Sequence, residues 1–193
     1  MLTAASQPHF DPPHRMVLMG VAGCGKSSVG AALAPILAAE YLDGDDLHPP
    51  GNIAKMRRGE ALTDDDRTPW LALVGAALRL NNHANHHANN HANHHSGQRC
   101  IIGCSALKRL YRSQIIAAAL APVTFIHLAG NRSVIEARMR ARTGHFMPPS
   151  LLDSQFAALE PPGPDERAIT VDIDQSFDSV IAAILAQLAK AET

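Results

Sequence analysis

Apolar residues fall along this chain in short bursts, and the bursts alternate with stretches of helical spacing. Met16–Met19 is the first burst, and it runs into a glycine-rich turn and then a helical pattern from about Lys26 to Ala39. Glu40–Leu42 reads as a short strand that stops at an acidic turn, Asp43-Gly44-Asp45-Asp46. Cys100–Cys104 and Val123–Leu128 are further bursts of strand length, separated by a helical stretch near Leu107–Leu120. Asn131–Arg142 predicts an arginine-rich helix and Ser150–Leu159 another; Ala168–Ile173 reads as a last strand and Phe177–Lys190 as a closing amphipathic helix. Short apolar strands alternating with helices predict an α/β fold, a parallel sheet flanked by helices on both faces.

The polar stretches are informative in a different way. From His48 to Thr68 the chain is polar, with Pro49-Pro50-Gly51 and an acidic run Asp64-Asp65-Asp66. Thr68 followed by Pro69 predicts a helix start, a hydroxyl cap and then proline at the first helical position, with the helix carrying Trp70 to about Leu80. Residues 1–14 read as a flexible leader that lacks the apolar centre of a secretory signal. Asn81–His95 is a tract of His, Asn and Ala in which His-Ala-Asn-His-His occurs twice. On a helix His83, His87, His91 and His95 would share a face at metal-ligand spacing. Nothing nearby supplies an ordered shell around a metal, so the tract reads as a low-complexity insert over about 81–97. The expected organisation is one domain over 15–193.

Composition narrows the class. The 193 residues carry 17 Lys+Arg against 18 Asp+Glu, a formal net charge of -1, which argues against nucleic acid or an anionic membrane as partner. No apolar run approaches the roughly 18 residues needed to span a bilayer. Three cysteines, Cys24, Cys100 and Cys104, show no zinc-site spacing and read as reduced thiols of a cytoplasmic protein.

The strongest chemical signal follows the first strand. Gly20-Val21-Ala22-Gly23-Cys24-Gly25-Lys26-Ser27 matches G-x-x-x-x-G-K-[ST] in full, between a strand and a helix. Glycines let the backbone curl so that successive N–H groups face phosphate oxygens, and the helix N-terminus adds a favourable dipole. In such a loop Lys26 would reach the β/γ-phosphates of ATP and the Ser27 hydroxyl would ligate Mg²⁺, with Ser28 following it into the helix. Cys24 lies in this turn, where a helix N-terminus can lower a thiol's pKa, and inert packing is the equal alternative. The strand at Cys100–Gly103 does not end in the acid that motor-type ATPases place there, and no Asn-Lys-x-Asp guanine reader occurs. Instead Asp43 and Asp45 stand one residue apart after the second strand. One carboxylate can support the metal through water while the other faces an acceptor hydroxyl. That layout suits a kinase for a small hydroxylated substrate.

With the loop, the segments YLDGDDLHPPGNIAKMRRGEALTDDDRTPWL (41–71), CSALKRLYR (104–112), RMRARTGHFMPPSLLDSQFAALEPP (138–162) and VDID (171–174) resemble the gluconokinase family, small P-loop kinases similar to shikimate kinase. The resemblance covers most of residues 16–190. It implies a P-loop kinase fold with a substrate flap (about 46–80) and a lid (about 138–160). The implied reaction is transfer from MgATP to the 6-hydroxyl of D-gluconate, usually in a homodimer. By this resemblance Asp45 takes the proton of the acceptor hydroxyl and Asp43 supports the metal with Ser27, although the opposite order of the two acids stays open. His48, Lys55, Arg67 and Lys108 are candidates for holding the gluconate anion, with Arg67 favoured because a guanidinium grips a carboxylate through two parallel hydrogen bonds. Arg138 and Arg142, four apart and so on one helix face, resemble lid arginines that close over the phosphates, and His145 follows as a further acceptor contact. The rival readings are another small-molecule kinase, of the shikimate or nucleoside monophosphate type, and a non-catalytic nucleotide-sensing module.

Overall fold

The apolar bursts differ in how completely they are buried, and that difference orders the sheet. The computed structural model describes residues 10–80, 99–141 and 149–191. Its strands are β1 (Arg15–Met19), β2 (Ala39–Asp43), β3 (Arg99–Gly103), β4 (Thr124–Ala129) and β5 (Ala168–Asp172). They pair in the order β2-β3-β1-β4-β5, every pair parallel. β1, β3 and β4 are buried along nearly their whole length, as strands covered on both faces must be. β2 and β5 are more exposed and form the edges. Each predicted strand is found within one residue of its expected bounds.

Side chains alternate across a strand, so β1 feeds two cores. Met16 and Leu18 pack with Leu33 of α1 (Lys26–Ile36) and Ile184 of α7 (Phe177–Lys190), and Leu152 of α6 (Pro149–Ala158) joins the same cluster. Val17 and Met19 face the other way, against Leu71 and Val74 of α3 (Asp64–Leu80) and Ile115 of α4 (Arg109–Ala119). α5 (Arg132–Ala141) adds Ile135 to the first core. No helix among the described residues is long and apolar enough to cross a membrane.

Several expectations need correcting. The third helix starts at Asp64, not at Thr68–Pro69, because an earlier cap operates. The Thr63 hydroxyl accepts the Asp66 N–H at 3.2 Å, and the Asp66 carboxylate accepts the Thr63 N–H at 2.8 Å. Three aspartates in the first turn complement the helix dipole. Pro69 lies inside the helix, and Thr68 donates its hydroxyl back to the Asp64 carbonyl at 3.2 Å. α1 ends at Ile36, three residues early. Pro35 sits in its last turn, and Ala38 takes a left-handed φ of 49° that turns the chain into β2. The polar stretch after His48 holds a short helix that no apolar stripe announces, α2 (Pro50–Arg57), whose one buried residue is Asn52. The expected leader is pinned at its end: Arg99 pairs with Asp11 and donates Nε to the Pro12 carbonyl, and the Cys100 N–H donates to the His14 carbonyl. The His/Asn tract, Arg142 and His145 lie outside the described residues.

Candidate active site

The phosphate cradle begins where β1 runs out. Gly20 has φ 138°, and a Cβ there would lie 2.9 Å from the Leu128 carbonyl of β4, so the loop leaves the sheet where a side chain cannot fit. Its N–H is tied to the Ser105 carbonyl at 3.1 Å. Gly25, at φ 101°, precedes α1 and offers no side-chain cap, which leaves the first N–H groups of that helix facing the loop. Lys26 folds over the loop, its Nζ donating to the carbonyls of Gly20 at 3.1 Å and Val21 at 3.3 Å. The Cys24 side chain is fully buried in the core, which favours inert packing over a reactive thiol; it fills space under the turn.

Beside the loop stands the acidic turn at the end of β2. Ser27 donates its hydroxyl to Asp43 Oδ2 at 3.2 Å, and Asp43 Oδ1 accepts the Asp45 N–H at 3.1 Å. Asp43 is thus committed on both oxygens, while the Asp45 carboxyl is left for other work. Partial desolvation raises the pKa of Asp45, and the Asp43 charge raises it further against the opposing pull of Lys26. Gly44 between them is packed so closely on β3 that a Cβ would lie 2.4 Å from the Gly103 carbonyl. Trp70 of α3 donates Nε1 to the Gly44 carbonyl at 2.7 Å, fixing the turn from the other side.

The predicted acceptor residues separate into two groups. His48 is 8% exposed and stacks on Trp70, ring centroids 4.1 Å apart. Burial, then the neighbouring Arg67 charge, lowers its pKa to about 4, so it is a neutral imidazole at pH 7 rather than the cation expected of it. Arg67 donates to the Leu62 carbonyl and to the Tyr111 hydroxyl at 3.4 Å, and its guanidinium lies 5.6 Å from the Tyr111 ring centroid. Lys108 stands 5.4 Å from the same ring and donates to both Asp64 oxygens at 2.8 Å. Asp64, held down in pKa by Lys108 and Tyr111, therefore joins Arg67, Lys108 and Tyr111 into one polar group. Lys55 is drawn off to Asp66 at 2.7 Å and serves the start of α3. The sequence reading singled out neither Asp64 nor Tyr111 for this site, although both lie in segments that carry the resemblance.

On the opposite side, Arg138 of α5 reaches across to the Cys24 carbonyl at 3.4 Å and the Ile173 carbonyl at 2.5 Å. It borders a cleft of about 170 Å³ that continues from Gly25 and Ser28 to Ile173, Phe177 and Val180. The mouth is partly apolar and next to the cradle, a shape suited to a flat ring attached to bound phosphates. Phe177 was not singled out from the sequence, although it closes the loop after Asp174, a plausible place for adenine contacts. Arg142, expected to complete the clamp, and His145, expected as a further acceptor contact, fall outside the described residues.

No protein-family model matches the chain. Among curated proteins, a gluconokinase of Gluconobacter oxydans is 42% identical over 173 residues, spanning 90% of each chain. The thermoresistant gluconokinase of Escherichia coli is 42% identical over 179 residues, 92% of this chain and 94% of that one. Among solved structures, a gluconokinase from Sinorhizobium meliloti superposes with a TM-score of 0.78 at 42% identity, covering 94% of this chain and 96% of the other.

Proposed function

The chain belongs to the gluconokinase family, and from that premise we propose how its residues move the terminal phosphoryl group of ATP to the 6-hydroxyl of D-gluconate. Phosphoryl transfer needs charge neutralisation and alignment more than covalent help from the protein. The cradle of residues 20–28 holds the phosphates through main-chain N–H groups. Lys26 leaves the carbonyls of Gly20 and Val21 to meet the terminal phosphates. Arg138 closes on them from α5, with Arg142 the expected second member of the clamp. The adenine ring takes the cleft beside Ile173 and Phe177.

Gluconate lies over the acidic turn, its carboxylate towards Arg67 and Lys108 and its hydroxyls towards the neutral His48; His145 is the expected further contact. Its 6-hydroxyl oxygen bonds to the terminal phosphorus while the bond to the β–γ bridging oxygen breaks and ADP departs with the electron pair. The hydroxyl proton passes to Asp45. The observation that carries this assignment is the unequal commitment of the two acids. Asp43 is fixed to Ser27 and to the Asp45 N–H, whereas the Asp45 carboxyl accepts no hydrogen bond among the described residues and is raised in pKa, as a proton acceptor should be.

Mg²⁺ fits the same pair. Among the described residues no group of three or more His, Cys, Asp or Glu could hold a metal. An adjoining hydroxyl and carboxylate suit a hard cation that draws its other ligands from phosphates and water. When bound, it would neutralise charge on the phosphate oxygens. Ser27 would hold the ion through its hydroxyl and Asp43 would support it through water. A homodimer in the cytoplasm completes the proposal; exposed Ile116 on α4 and Leu120 just past its end offer apolar surface to a second copy.

Coupled ADP release on a panel of acceptors tests the whole reading. Gluconate should support turnover, with shikimate and AMP inactive. Asp45→Asn should lose about 3–5 kcal/mol of transition-state stabilisation with ATP affinity kept. Turnover with shikimate or AMP but not gluconate overturns the substrate, and near-wild-type rates in Asp45→Asn overturn the base.

A further inference from the structure

One peptide unit of the cradle is held at both ends. The Val21 carbonyl accepts from Lys26 Nζ at 3.3 Å, and the N–H of the next residue, Ala22, donates to Gln155 Oε1 at 2.6 Å. Gln155 stands 133 residues away on α6, so this contact is long-range. Its backbone is mounted firmly. Leu152 is buried in the same core as Val21, Phe156 packs against that core, and Asp153 pairs with Arg132 of α5. Only the amide oxygen can accept from an N–H, so the hydrogen bond also fixes which way the Gln155 amide faces. Within this loop the Gly20 and Cys24 N–H groups bond to main-chain carbonyls, Ser105 at 3.1 Å and Val21 at 3.3 Å, whereas the Ala22 N–H is served by a side chain from a distant helix.

We propose that Gln155 is a positioning residue for phosphoryl transfer: it locks the 21–22 peptide so that the Val21 carbonyl faces Lys26 and sets that ammonium at the mouth of the cradle. The alternative orientation of this peptide has two electrostatic faults. It would turn the Ala22 N–H towards the Lys26 ammonium, and it would turn the Val21 carbonyl away from it. With Oε1 holding the N–H, the carbonyl is left where Lys26 can rest before it engages the terminal phosphates. The inference rests on the reaction proposed above and adds a residue that the motif does not contain. It also explains why an element beyond the loop, α6, touches the loop backbone at all.

Two variants separate positioning from simple packing. Gln155→Leu keeps the approximate size and removes the acceptor; Gln155→Glu keeps an oxygen acceptor at the same reach. The Ala22 amide proton in the nucleotide-free protein should resonate downfield, move upfield in Gln155→Leu and stay downfield in Gln155→Glu. In steady-state assays Gln155→Leu should lose about 10–100-fold in kcat with gluconate KM within twofold, the pattern of a misaligned reacting group. Gln155→Glu should recover part of that kcat, with a raised KM for ATP because its charge faces phosphate. Wild-type kcat in Gln155→Leu, or an Ala22 resonance that does not move, overturns the proposal, whatever happens to thermal stability. A wild-type protein inactive on gluconate would instead sink the substrate reading, and the Ala22 resonance measured without acceptor still decides the role of Gln155.

Discussion

His48 shows how a residue type can be legible while its chemical state is not. A histidine beside arginine and lysine in a pocket for an anion invites reading as a third cation. The structure surrounds it otherwise. Asn52 donates Nδ2 to the Asp66 carbonyl at 2.8 Å, which sets its amide, and the same nitrogen lies 3.3 Å from His48 Nδ1. An amide nitrogen only donates, so Nδ1 must be unprotonated and the single ring proton sits on Nε2. Stacking on Trp70 and the Arg67 charge favour the same neutral form. The stability consequence has a definite sign. A folded-state pKa of about 4 against an ordinary 6.5 means that the unfolded chain binds the proton first as pH falls. The contribution is complete above about pH 6.5 and is lost progressively towards pH 4. His48→Phe keeps a flat ring against Trp70 and removes the proton. Urea midpoints at pH 7.5 and pH 5 should fall farther apart in the wild type than in this variant. Equal differences would mean that His48 titrates normally in the folded protein.

At the scale of elements, the acceptor side depends on how closely α3 and α4 approach. Gly75 makes that approach possible: a Cβ there would lie 2.5 Å from the Ile115 carbonyl and 2.6 Å from the Ala118 side chain. Alanine is ordinarily the better helix former by up to about 1 kcal/mol, but here it would have to push the helices apart. α3 carries Asp64 and Arg67, and Lys108 immediately precedes α4, so separation lengthens the links among them. Gly75→Ala should cost about 1–3 kcal/mol of stability and raise gluconate KM several-fold with ATP affinity nearly unchanged. A stabilised protein with unchanged KM would show that the crossing has slack. Neither this contact nor the α3 start could be read along the chain. Thr68–Pro69 and Thr63–Asp66 are both sound start signals, and the reciprocal bonds that decide between them are visible only in space. The strands were legible because three of them are buried on both faces and need uninterrupted apolar runs. α2 was not, because it buries only a polar residue. The cradle was legible as a motif, since its geometry is local. The partner of Ala22 was not, since Gln155 is brought to it by the fold.

The whole molecule divides its labour across the sheet. The face bearing Met16 and Leu18 supports α1, α5, α6 and α7, which carry the cradle, Arg138, Gln155 and the cleft beside Phe177. The face bearing Val17 and Met19 supports α3 and α4, which carry Arg67 and Tyr111 and adjoin Lys108. The two sets meet where the parallel strands end, between the loop after β1 and the turn after β2, the usual place for a ligand in an open α/β sheet. Trp70, the only tryptophan, belongs to the second set. Its ring lies under His48 and its N–H holds the carbonyl of Gly44, one residue before Asp45. An acceptor that contacts His48 or displaces the acidic turn must alter the surroundings of this indole. A nucleotide seated in the cradle and the cleft touches the other set. Gluconate alone should therefore change the tryptophan emission, whereas a non-hydrolysable ATP analogue alone should leave it nearly unchanged. Emission that responds fully to the nucleotide and not to gluconate would place the acceptor elsewhere and remove the division of the sheet into a donor face and an acceptor face.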